Sequence, residues 1–205
     1  MIEDGYVGQA DVVNTNSDIN VQAFIIKELM AKSHNATLVK VVSVSAGTGS
    51  GVGHVDLQPL VNQVDGAGKP TPHGILYNVP FLRIQGGTNA VVIDPVVGDI
   101  GLAVFASRDI SSVKSTGARS NPASRRRNSM ADGLYLGGFL NAAPVNYVIF
   151  TAGGIKLVSP SKVEVVSPNI NLTGTSLSHN GVNVGSTHTH TTPGGTSASN
   201  TGVPQ

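Results

Sequence analysis

The sequence predicts a mainly β protein in two parts, a small closed barrel followed by a fibrous region that only several chains together can fold. Three observations predict it. Val, Ile, Ser, Thr and Asn dominate, while charged residues make up 12% and aromatics 4%, a balance that favours strands and turns over helices. From Ala36 to about Ile110, short alternating strands are punctuated by glycine-rich turns. From Gly154 the pattern repeats: Ile155-Lys156-Leu157-Val158-Ser159-Pro160 is echoed by Val163-Glu164-Val165-Val166-Ser167-Pro168, then by Ile170-Asn171-Leu172-Thr173-Gly174.

Composition also excludes. A net charge of +1 gives no global electrostatic case for nucleic acid or an acidic membrane surface. The absence of cysteine removes disulfides, thiolate metal sites and a cysteine nucleophile. Met1-Ile2-Glu3-Asp4 lacks the basic segment and apolar core of a secretory signal, and no run of about 18 apolar residues exists to span a bilayer, so a soluble protein is expected.

Residues 1–35 are read as an N-terminal arm and helix. Asn16 or Ser17 can cap a helix over 16–33, Asp18 favours its positive end, and Ile19, Phe24, Ile26, Leu29 and Met30 supply a broad apolar stripe. Residues 36–115 are read as the barrel. Its strands are predicted at Thr37–Val44, His54–Val61, Ile75–Ile84 with Pro80 as an edge marker, Ala90–Ile93 and Leu102–Ala106. Five short strands in roughly 70 residues fit a barrel of the oligonucleotide/oligosaccharide-binding (OB) type. Tyr77, Phe81 and Phe105 are placed as core. Gly47-Thr48-Gly49 is not a dinucleotide fingerprint, since Val52 occupies the third glycine position and a strand follows. Gly66-Ala67-Gly68-Lys69-Pro70 is not a P-loop, since Pro70 replaces Ser/Thr.

Residues 116–146 are read as a linker. The polar stretch Ser107–Arg127 carries Arg108, Arg119 and Arg125-Arg126-Arg127 without interleaved aromatics, which favours a solvated segment over a phosphate contact. Met130–Phe139 returns to apolar, tight-turn chemistry, and Asn146–Phe150 reads as a further strand. Over 147–184, Val, Ile and Leu alternate with Lys, Glu and Asn, so one face is apolar. Fragments of about four residues between Ser-Pro and Thr-Gly cannot offset their ordering entropy alone. Three copies wound about one axis close the sheets and remove their edges.

The apex, 185–205, contains His188 and His190. In a strand, residues i and i+2 point to one face, so the two imidazoles stand side by side. A single pair is a poor metal site, whereas three chains on an axis gather six nitrogens, which suits an octahedral transition metal better than tetrahedral zinc. Iron(II), cobalt and nickel all fit.

This layout resembles the membrane-piercing central spike proteins of contractile-tailed bacteriophage baseplates. Val55-Asp56-Leu57-Gln58-Pro59-Leu60-Val61, Pro80-Phe81 and Val96-Val97-Gly98-Asp99-Ile100-Gly101 resemble that family's barrel. Ser124-Arg125-Arg126-Arg127-Asn128-Ser129-Met130-Ala131-Asp132-Gly133 resembles its linker, with Asn128 where a histidine is expected. Ile155–Val184 resembles its triple-stranded β-helix, and His188-Thr189-His190 its tip. The resemblance implies a homotrimer whose His188 and His190 pairs bind one iron ion near the apex. It also implies a barrel that docks on a baseplate hub protein, and a needle at the virion tail tip driven mechanically through the host outer membrane.

Two other functions fit less well. A metal-dependent hydrolase needs a base beside the metal, and no Asp or Glu follows Glu164. Single-strand nucleic-acid binding by the barrel lacks both charge and stacking residues. No enzymatic activity is expected.

Overall fold

The computed structural model describes residues 12–47, 50–186 and 188. The fold is mainly β and divides into two units, Met1–Ala143 and Pro144–Gln205.

In the first unit, helix α1 (Asp18–Ala31) starts where Ser17 leaves extended backbone and its hydroxyl accepts from Asn20 N at 3.3 Å. The Asn20 side chain donates to Val13 O at 3.0 Å and so ties the helix to the short 3-10 turn Val12–Thr15. None of its side chains is buried. Phe24 and Glu28 are half-buried, while Ile19, Ile26, Leu29 and Met30 are exposed, so the predicted stripe exists without a covering partner among the described residues.

The strands follow as β1 (Ala36–Gly47), β2 (Ser50–Pro59), the ribbon β3 (Gln63–Val64) with β4 (Pro70–Thr71), β5 (Leu76–Pro80), the ribbon β6 (Ile84–Gly86) with β7 (Asn89–Val91), β8 (Ile100–Phe105), and, after the short helix α2 (Ser111–Thr116), β9 (Gly133–Gly138). Five of them form one antiparallel sheet in the order β5-β2-β1-β8-β9. The sheet curls into a half-barrel, and its two outer strands meet at a single parallel bridge, Phe81 to Tyr135. There Leu82 N donates to Tyr135 O at 2.7 Å.

Alternation builds the core. Val39 and Val41, Val55 and Leu57, Val79 and Phe81, Ala103 and Phe105, and Tyr135 all point inward at period two. Two glycines let the rings in: a Cβ at Gly53 collides with the Phe81 ring, and one at Gly101 with the Tyr135 ring.

Three expectations differ from this arrangement. The strand read at Ala90–Ile93 belongs to the separate β6–β7 ribbon, whose ends are fastened by Arg83 Nη2 and Asp94 Oδ1 at 2.7 Å, with the guanidinium over the Phe81 ring. The sheet's fifth strand comes instead from Gly133–Gly138, within the stretch read as linker. Tyr77 is 69% exposed rather than core, because Asn78 adopts a left-handed φ of 55° and breaks the alternation of β5, opposite a register shift in β2. Phe81 and Phe105 are buried as expected.

The segment between β8 and β9 is pinned from inside. Arg126 donates through Nε to Asp132 Oδ2 at 2.8 Å and through Nη2 to Asp132 Oδ1 at 2.9 Å, and Nη2 lies 3.0 Å from Asp109 Oδ1. Asp109 also accepts from Ser111 Oγ and Ser124 Oγ, each at 2.6 Å, and Asp132 from Ile110 N at 3.1 Å. Hydrogen bonds from Ser111 and Ser124, with the charge of Arg126, hold the Asp109 carboxyl well below the usual range. For Asp132 the Arg126 hydrogen bond is the main cause of a lowered pKa. Asn128 follows in left-handed backbone, φ 44°, a conformation asparagine tolerates, and its carbonyl accepts from His34 N at 3.2 Å.

In the second unit, β10 (Tyr147–Thr151) and β11 (Gly154–Val158) form a hairpin. Phe150 pairs with Ile155 and Val148 with Leu157, so one face carries four apolar side chains, with Phe150 75% exposed. No strand is formed over 159–177, where Val163, Val165, Ile170 and Leu172 are exposed and Val166 is 91% exposed. A second hairpin, β12 (Ser178–His179) with β13 (Val182–Asn183), turns at Asn180-Gly181, both at positive φ (48° and 80°), the pairing a type I′ turn requires. No hydrophobic side chain of this unit is buried among the described residues.

Candidate functional site

The β12–β13 hairpin leads into the expected apex. Val184 N donates to Leu177 O at 2.8 Å and extends the hairpin by one bond. The Asn183 side-chain oxygen accepts from Gly185 N at 2.9 Å, which turns the chain. Gly185 O then accepts from His188 N at 3.1 Å and lies 2.6 Å from His188 Nδ1.

That last contact fixes the chemistry of the ring. A carbonyl oxygen can only accept, so Nδ1 carries the proton and the neutral imidazole's lone pair sits on Nε2. Metal-ligating histidines are oriented in this way, one ring nitrogen donating to a backbone carbonyl while the other faces the ion. His188 is half-buried and, with Leu172, Leu177, Asn183 and Gly185, lines a cavity of about 630 Å³.

His190, the other expected ligand, lies outside the described residues, as do residues 191–205 of the expected apex. Among the described residues, no group of three or more His, Asp or Glu side chains is placed to hold a metal ion. The His188 tautomer leaves Nε2 as the ring atom able to bind a metal ion. Sequence reasoning passed over His179, which pairs with Val182 in the hairpin just before the apex. The Asn-Gly turn between alternating residues was the signal for that hairpin.

Two further histidines meet in the first unit. His34 and His73 stand edge to face with ring centroids 6.2 Å apart, and the Gln63 amide nitrogen lies 2.8 Å from His73 Nδ1, which therefore accepts. Burial, and then the proximity of His34, lowers the His73 pKa. Both effects favour the neutral form of the ring.

No protein-family model matches the chain, and no curated protein matches it.

Proposed function

We propose that this protein is the trimeric central spike of a contractile phage tail, a structural needle that pierces the host outer membrane mechanically. The observation that carries the reading is the second unit. Its apolar side chains are solvent-exposed in a single chain, and burying a Val, Leu or Phe contributes about 1.5–3 kcal/mol each, which three intertwined copies can supply to one another. A triple-stranded β-helix also pairs the backbone of 159–177, which forms no strand in one chain.

The half-barrel is the collar. Its strand order, β5-β2-β1-β8-β9, with a parallel contact between the outer two, supports an OB-type barrel. The exposed stripe of α1 and the collar face the baseplate hub protein, and the apex faces the membrane. At that apex His188 and His190 of three chains hold one iron ion as a clamp on ends that otherwise fray.

Elemental analysis of protein expressed with iron and washed with chelator tests the clamp. About one metal per three chains is expected, with His190→Ala losing the metal while the assembly persists. One metal per chain, or none, would contradict it.

A further inference from the structure

Three arginines without an ion-pair partner among the described residues line one cleft of the first unit. Arg126 is committed to Asp109 and Asp132, but its neighbours Arg125 and Arg127 line, with Arg108, Pro122, Ala123 and Ser124, an open cleft of about 510 Å³. None of these three guanidiniums has a carboxylate partner among the described residues. No carboxylate lines the cleft, and its one hydroxyl, Ser124 Oγ, already donates to Asp109.

The cationic cluster is held in place. Arg108 adjoins Asp109, Arg125 and Arg127 flank Arg126, and Asp109 and Arg126 are joined at 3.0 Å, so one ion pair holds the backbone that carries all three exposed arginines. Gathering like charges without a counter-ion costs repulsion and returns nothing to the fold. An anion from outside repays that cost.

We propose that this cleft binds a phosphate-type oxyanion. Guanidinium forks pair bidentately with oxyanion oxygens, and three of them match the oxygens and near-double charge of a terminal phosphate better than a single carboxylate. Pro122 and Ala123 offer no aromatic face for stacking bases, which argues against a nucleic-acid strand. The phosphate is free in solution or belongs to a lipid headgroup, and the site stands on its own geometry whether or not the chain is a spike.

The full chain is titrated with pyrophosphate at constant ionic strength by calorimetry, and sedimented with phosphatidylcholine vesicles with and without phosphatidic acid. The double variant Arg125→Gln/Arg127→Gln, and separately Arg108→Gln, leave the Arg126 lock intact. Each is expected to weaken binding at least about tenfold without lowering the melting temperature, while Lys162→Gln in the second unit changes nothing. Pyrophosphate binding without vesicle binding assigns a soluble phosphate. Sedimentation only with phosphatidic acid assigns a headgroup. No binding to either probe at about 10 mM phosphate, binding unchanged in both arginine variants, or tighter binding of a hexaglutamate peptide than of pyrophosphate overturns the proposal.

Discussion

At Arg126 one guanidinium neutralises two buried carboxylates, so removing it strands two negative charges against β8, α2 and β9. Arg126→Met is expected to cost on the order of 1–3 kcal/mol, below the range of fully enclosed pairs because its side chain is 37% exposed. The pH dependence follows from the lowered pKa values of Asp109 and Asp132. A carboxyl that is more acidic folded than unfolded contributes stability above its ordinary pKa of about 4, lost as pH falls through and below that value. Melting temperature should drop as wild type is acidified below pH 4 and change less in Arg126→Met. Tyr135 poses the opposite case. Its hydroxyl is buried without a hydrogen-bond partner among the described residues, and burial, followed by the charge of Asp99, raises its pKa. Tyr135→Phe removes an unpaired polar group and should stabilise the first unit by about 1 kcal/mol in urea unfolding.

Among the elements, those with strict period-two alternation were legible. Thr37–Val44 lies in β1, His54–Val61 runs across the end of β2, and Leu102–Ala106 lies in β8 except for Ala106. The helix was legible from Ser17 and Asp18. Strand β9 was not, because Gly133, Gly137 and Gly138 read as turn chemistry, and the fitting of Tyr135 against Gly101 is a tertiary fact. Nor could the arginine run be parsed: Arg126 differs from its neighbours only because Asp109 and Asp132 fold beneath it. The spacing of His188 and His190 carries the expectation of a ligand pair, whereas the His188 tautomer depends on the Gly185 carbonyl. The β10–β11 hairpin carries the element-scale prediction. Leu157 shares a face with Val148, Phe150 and Ile155, and Lys156 is the one charged side chain on the opposite face, so Leu157→Glu should weaken the assembly at least about tenfold, while Lys156→Glu should not. Equal effects, read by sedimentation velocity, would mean that this face is not covered by other copies.

On the scale of the whole molecule, the two units follow different rules. The first has an inward-pointing core of nine side chains and a curled sheet that buries it. The second has two small hairpins, a stretch over 159–177 that forms no strand, and no buried hydrophobic residue among those described. On the proposed reading a chain with a core in one unit and exposed alternation in the other is a protomer, and the needle and its metal clamp both require the copies to come together. Sedimentation equilibrium of the full chain tests this most directly. The account predicts about three times the chain mass, unchanged on dilution to micromolar concentration. A monomer with a folded first unit at that concentration would contradict it.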